Sequence, residues 1–132
     1  MSTPFTLRGL DHVVIRARDI AALERFYVEV LGCTVEKRQL EGRLVQLRAG
    51  ASLIDLWDAT GEAPPEGRNM DHLCLAVAPF DPAAIAAHLA RFGIDAGEPV
   101  SRYGAEGEGP SLYLADPEGN GIELKGPPGG MP

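Results

Sequence analysis

The segment Leu10-Asp11-His12-Val13-Val14-Ile15 returns sixty residues later as Met70-Asp71-His72-Leu73-Cys74-Leu75. Self-similarity at a fixed period constrains a fold more than any single motif, because each copy must then build the same unit. Other landmarks recur in the same order. Each copy leads within ten residues to an acidic residue heading a helical pattern, which ends on a bulky residue and glycine, Leu31-Gly32 and Phe92-Gly93. Each copy then closes on an acid between two aliphatics, Ile54-Asp55-Leu56 and Ile122-Glu123-Leu124. The offset drifts from 60 through 61 to 68, as loop insertions between two copies of one unit would make it do. A chain of 132 residues holds one domain or two half-domains sharing a core. The repeat predicts a single domain over residues 1–132 built from two modules, 8–58 and 70–126.

Within the first copy, residues 10–16 alternate and are rich in β-branched types, as a strand requires. Asp19 can cap a helix running to about Val30, with Leu23, Phe26, Tyr27 and Val30 on one face. Gly32 stops it, since glycine takes the left-handed position cheaply. Segments 33–40, 43–49 and 51–58 read as strands, turning at Glu41-Gly42 and Ala49-Gly50.

The second copy has Asp81 as cap, Pro82 at the first helical position, and Ile85, Leu89 and Phe92 as the buried stripe. Strands are predicted near 95–101, 110–115 and 120–126, the last two joined by a turn at Asp116-Pro117-Glu118-Gly119-Asn120. Residues 59–69, with two Pro and two Gly, read as an exposed linker, and Arg102 to Pro110, with three Gly, as a mobile loop. The tail from Pro127 to Pro132 is too rich in Pro and Gly to order by itself. The class is therefore α+β, with two paired βαβββ modules. One such sheet, covered by its helix on one side only, buries too little to stand alone. Pairing the open faces would make a curved, eight-stranded cleft.

Side chains on a strand alternate faces, so parity decides which groups share a surface. If Val13 and Ile15 pack under the helix, then His12, Val14 and Arg16 lie on the open face. By the same parity His72 goes with Cys74 and Ala76, Asp55 with Leu53 and Trp57, and Glu123 with Gly121 and Lys125. Two histidines and two carboxylates thus occupy matching places in the two copies. Imidazole nitrogen with carboxylate oxygen suits borderline divalent ions such as Mn, Fe, Co, Ni and Zn. A lone strand histidine is usually satisfied by a backbone group; two at equivalent places, each with a downstream acid, point to metal.

This two-copy pattern resembles the vicinal-oxygen-chelate superfamily, which includes glyoxalases, bleomycin-resistance proteins and extradiol dioxygenases. The resemblance spans residues 8–126, and its most specific stretch runs from Asp116 to Leu124, Asp-Pro-Glu-Gly-Asn-Gly-Ile-Glu-Leu. It implies a glyoxalase-like fold, with a divalent metal in the cleft chelated by vicinal oxygens of a small substrate. The implied ligands are His12, Asp55, His72 and Glu123, with Glu123 as the catalytic base. Glyoxalase-type members usually carry Glu or Gln where this chain has Asp55, one methylene shorter, which leaves direct or water-bridged ligation open. Reactions open at this point are a lyase or isomerase, an Fe(II) or Mn ring-cleaving dioxygenase using two His and one carboxylate, and a non-enzymatic ligand binder.

The resemblance also implies substrate-binding roles. Arg16, four residues after His12, stands where glyoxalase I proteins hold an arginine on a glutathione carboxylate, a task suited to a guanidinium fork. The plainer reading pairs Arg16 with Asp19 or Glu24. Trp57 shares the open face by parity, Arg68 and Asn69 precede the second histidine strand, and Arg102 and Tyr103 could cover the site from their loop. Cys74 reads as a small core residue, His88 as a surface residue, and Asp11 and Asp71 as groups bonding backbone at the strand start.

Composition removes several classes. Twelve basic against nineteen acidic residues, net charge -7, argues against nucleic acid as a partner. No apolar run approaches a membrane span, and the N-terminus shows no basic-then-apolar leader. Cys33 and Cys74 read as free thiols in a reducing compartment. A cytoplasmic protein, pairing as a homodimer by default, is the expectation.

Overall fold

The computed structural model describes residues 8–64, 66–67 and 70–129. The chain divides after Glu62 into two compact units. The first contains β1 (His12–Ala17), α1 (Ile20–Arg25), β2 (Thr34–Gln39), β3 (Leu44–Ala49) and β4 (Ser52–Asp58). The second contains β5 (His72–Ala76), α2 (Pro82–Ala90), β6 (Val100–Gly104), β7 (Gly107–Ala115) and β8 (Gly121–Lys125). Each unit is thus one βαβββ module, as the repeat predicts.

The two sheets share one topology. Their orders are β1-β4-β3-β2 and β5-β8-β7-β6, with the first and last strands of each module paired parallel and the rest antiparallel. One face of each sheet is apolar. Ile15, Val45, Leu47, Ile54 and Leu56 are buried in the first module, and Leu112, Leu114, Ile122 and Leu124 in the second. The helices supply Leu23 and Leu89, at 0% and 1% exposure. The opposite faces carry His12, Asp55, His72 and Glu123, so the parity reading of the strands holds.

The first helix departs from the expected continuous run. It is capped by Asp19, whose side chain accepts from the Ala22 N–H, but regular helix ends at Arg25 and a wider π turn covers Phe26–Val30. The Leu31 N–H reaches back five residues to the Phe26 carbonyl at 3.3 Å. Widening the turn lets the consecutive aromatics Phe26 and Tyr27 both enter the core, edge to face at 5.2 Å. On the outer side, Arg38 of β2 forks onto Glu24 at 2.6 and 2.8 Å. That contact holds the Glu24 carboxyl below its ordinary range.

In the second module α2 begins as expected, with Asp81 accepting from the Ala84 N–H and Pro82 in the first turn. Its stripe is narrower than expected. Leu89 is buried and Ile85 half-buried, but Phe92 lies beyond the helix end, 39% exposed, with its ring against His88 at 5.2 Å. His88, expected at the surface, is half-buried.

The largest correction concerns residues 95–110. Asp95 bends the chain by accepting from the Gly97 N–H, and β6 begins only at Val100. The expected mobile loop is a hairpin, with Tyr103 opposite Glu108 and Gly104 opposite Gly107. Two of its glycines allow close approach. A Cβ on Gly104 would stand 2.6 Å from Lys125 Cε, and one on Gly109 would stand 2.8 Å from the Gly126 carbonyl oxygen. Lys125, only 8% exposed, runs under the hairpin and donates to the carbonyls of Arg102 and Gly109 at 2.5 and 3.2 Å. Gly109→Ala meets backbone oxygens that no rotamer change can move, and is expected to cost about 1–3 kcal/mol in urea unfolding. Gly104→Ala meets only a side chain and should cost less.

The turn before β8 explains Asp116. Its Oδ1 accepts from the N–H groups of Glu118 and Asn120, both at 2.9 Å, and its Oδ2 from Asn120 Nδ2 at 2.7 Å. With Gly119 at φ +83°, this turn launches the strand that carries Glu123. Among the described residues no helix is long and apolar enough to cross a membrane.

Candidate metal and substrate site

In each module the parallel pairing of first and last strands sets a histidine beside a carboxylate. In the second, Cys74 of β5 is level with Glu123 of β8, and Tyr113 of β7 with the same residue from the other side. His72 Nε2 lies 3.0 Å from Glu123 Oε1, and Ser111 Oγ donates to Glu123 Oε2 at 2.6 Å. The Tyr113 ring stands edge to face with His72 at 6.0 Å. Burial pushes the Glu123 carboxyl up, but hydrogen bonds from Ser111 and Tyr113 and the charge of His72 outweigh it, so the net shift is down. Glu123 is therefore held as a carboxylate with one oxygen anchored and the other turned to His72.

In the first module, β1 and β4 place Val14 level with Asp55, and β3 sets Gln46 opposite it. Asp55 is neither at a strand end nor on a solvated face: it is mid-strand and 3% exposed. Gln46 Nε2 donates to its Oδ2 at 3.2 Å, and Gln46 is itself steadied by Gln39 at 2.6 Å. The other oxygen, Oδ1, is buried without a hydrogen-bond partner among the described residues. Most buried polar atoms in folded proteins are paired, so this oxygen is the outlier of the module.

Both histidines are gripped from behind. His12 Nδ1 lies 2.8 Å from Asp11 Oδ2, and His72 Nδ1 lies 2.8 Å from Asp71 Oδ2. These aspartates were expected to bond backbone at the strand start; their carboxylates also hold the rings, and the Asp11 carbonyl accepts from the Leu53 N–H. The hydrogen bond to Asp11 raises the His12 pKa, with burial opposing and Asp55 adding; Asp71 raises that of His72, with burial opposing and Glu123 adding. An Asp-His dipeptide in both copies was the available sign of this arrangement, and Ser111 and Gln46 gave none.

The other expected site residues are spread more widely. Arg16 pairs with neither Asp19 nor Glu24: its Nη2 donates to Glu62 Oε1 at 2.9 Å. Trp57 Nε1 donates to the same carboxylate, at Oε2, at 2.9 Å. Tyr103 lies on β6, 80% exposed, on the opposite face of the hairpin from Glu123, whereas Arg102 shares the Glu123 face and stands 5.9 Å from the Tyr113 ring. Arg68 and Asn69 lie outside the described residues. Cys33 is a buried free thiol as expected; Cys74, expected in the core, is exposed on the Glu123 face. Partial burial, then the Glu123 carboxylate, pushes the Cys74 thiol up to about 11, so it is no ready nucleophile.

The family model described as a glyoxalase-like domain matches residues 12–125. The chain belongs to the glyoxalase-like domain family. This bears out the resemblance to the glyoxalase, bleomycin-resistance and dioxygenase superfamily. Among relatives of the glyoxalase-like chain, the virulence protein STM3117 of Salmonella typhimurium strain LT2 is 34% identical, covering 87% of this chain and 81% of its own. The glutathione transferase FosA of Serratia marcescens is 27% identical, covering 89% of this chain and 80% of its own. Among solved structures, the integron cassette protein VCH_CASS1 from the mobile metagenome of V. cholerae superposes with a TM-score of 0.77 at 29% identity, covering 94% of this chain and 98% of its own.

The donor groups of this glyoxalase-like chain fit a divalent cation. Asp55 Oδ1 is a buried carboxylate oxygen lacking a hydrogen-bonding partner among the described residues, which is a place a cation would fill. An imidazole held at Nδ1 by a carboxylate presents Nε2 outward, the usual support behind a metal-bound histidine. Within either module, among the described residues, no three His, Cys, Asp or Glu side chains are placed to hold an ion between them. Each module offers a pair.

Proposed function

We propose that this glyoxalase-like protein is a metal-dependent lyase or isomerase acting on a small substrate whose adjacent oxygens chelate the ion. The candidate ligands are His12 and Asp55 in the first module and His72 and Glu123 in the second, for an ion that would be one of Ni, Zn, Co, Mn or Fe. The observation that carries the reading is the pair of histidine–carboxylate half-sites at equivalent places in the two modules, one with an unsatisfied buried oxygen. When bound, such an ion polarises the substrate oxygens it touches.

The chain's own residues supply the rest. Glu123, a displaceable ligand, would move the proton through Oε1, because Oε2 is fixed by Ser111 and its lowered pKa keeps it an acceptor at neutral pH. Asp11 and Asp71 keep both imidazoles oriented. The relative named glutathione transferase supports a thiol or glutathione conjugate as the first substrate class to try. The same reading takes the protein to be cytoplasmic and a homodimer, the latter checked by light scattering.

The deciding measurement is elemental analysis of protein purified without chelators, followed by turnover of the methylglyoxal–glutathione hemithioacetal with Ni, Co or Zn. Near-stoichiometric metal with turnover is the expected result. Metal without turnover would remove the glyoxalase I version, and no metal at any loading would replace the enzyme with a metal-free ligand binder.

A further inference from the structure

The two modules set histidine and carboxylate on the same diagonal. His12 is level with Leu53, two residues before Asp55, and His72 with Gly121, two residues before Glu123. The second module uses every donor on that diagonal. His72 Nδ1 is taken by Asp71 and Nε2 by Glu123 Oε1, while Ser111 holds Glu123 Oε2. Neither a ring flip nor a turn of the carboxylate can offer an ion a fresh atom without breaking one of these contacts.

The first module leaves one donor of each kind unused. Among the described residues the His12 ring is bonded only at Nδ1, by Asp11, and the Asp55 carboxylate only at Oδ2, by Gln46. A glutamate spans the diagonal in the second module, whereas aspartate is one methylene shorter and leaves His12 unmet. Gln46 adds to this from the far side: β3 lies across β4 from β1, so its amide draws Oδ2 away from His12. Gln39 Nε2 donates to Gln46 Oε1 at 2.6 Å, which turns the Gln46 amide N–H toward Asp55. Oδ1 is thus fixed, buried and unpaired, while the His12 side chain, 46% exposed, is open to solvent. A buried carboxylate oxygen without a partner gains most from a cation.

We propose that the first module captures the metal ion, and that the second engages only after His72 and Glu123 part. Gln46, braced by Gln39, is a positioning residue that keeps the first pair open. This order deepens the proposed function and rests on its reading of a divalent ion. The shortness of Asp55 then has a use: it stops histidine and carboxylate from satisfying each other, so the ion meets no internal competitor there. An ion reaching His12 and Asp55 breaks no contact between them. One reaching His72 and Glu123 waits for the fraction of molecules in which that pair has opened.

The test mixes metal-free protein rapidly with excess cobalt(II) chloride and follows uptake by visible ligand-field absorption. Wild type should show two phases: a first whose rate is proportional to cobalt, and a second independent of it, set by the parting of His72 from Glu123. Asp55→Glu, long enough to reach His12, should slow the first phase about tenfold, because the open fraction falls. Gln46→Met keeps the volume but unties Oδ2, and should slow it about threefold; it tests the same point where the longer acid disturbs folding. His72→Ala has no pair to part and should lose the second phase while keeping the first. A first phase unmoved in either folded variant, a second phase surviving in His72→Ala, or uptake by wild type in a single phase overturns the proposal and leaves the metal-dependent reading standing. No cobalt uptake by wild type removes both.

Discussion

Asp55→Asn is expected to stabilise the metal-free protein and to abolish its stabilisation by divalent metal. The native residue is a carboxylate at 3% exposure with one hydrogen bond, from Gln46 at 3.2 Å, and an oxygen with none. A buried charge so thinly compensated costs stability, and a neutral amide of the same shape removes most of that cost. A gain of about 1–2 kcal/mol in urea unfolding under EDTA is the expected size. With metal at about a hundred times its dissociation constant the wild type should gain about 2.7 kcal/mol. The order of the two proteins then reverses. A destabilised Asp55→Asn variant under EDTA, or one that keeps the full metal-induced shift, would remove Asp55 from the ligand set.

His72→Ala carries the second large effect. It removes an imidazole donor and leaves Glu123 Oε1, in a side chain only 8% exposed, without the neighbour at 3.0 Å. Loss of a ligand should lower divalent-metal affinity by about a thousandfold or more, whereas loss of the support behind it, in Asp71→Ala, should cost about 10–100-fold. Competition against a chelating dye separates the two. If both variants lost affinity equally, Asp71 would be acting as something other than a support. If His72→Ala still bound metal stoichiometrically, the second module would not be contributing its histidine.

Much of this arrangement was legible in the sequence because duplication repeats whatever the fold needs. The order of elements, the caps at Asp19 and Asp81, and the parity that puts His12 and Asp55 on one face and His72 and Glu123 on another all follow from local patterns that tertiary contacts did not override. Failures came where the partner is distant. Gly104 and Gly109 read locally as loop residues, but they make room for Lys125 and the strand end of Gly126, which no window around residue 105 contains. The π turn answers to the demand that Phe26 and Tyr27 be buried together. Glu62 sits in a segment that composition marks only as linker, and its partner Arg16 lies 46 residues upstream.

The parallel pairing of β1 with β4, and of β5 with β8, has a kinetic consequence. His12 and Asp55 come from opposite ends of their module, as do His72 and Glu123, so neither pair exists until the last strand has docked beside the first. That docking closes the longest loop in each module, the entropically most demanding step of its assembly. A ligand held across such a pair would act as a clasp on that final step, slowing strand escape while adding nothing to the early turns. Each histidine–carboxylate pair is thus a signature of completed folding: a chain still emerging, or one truncated before its closing strand, has the histidine but no partner to set beside it.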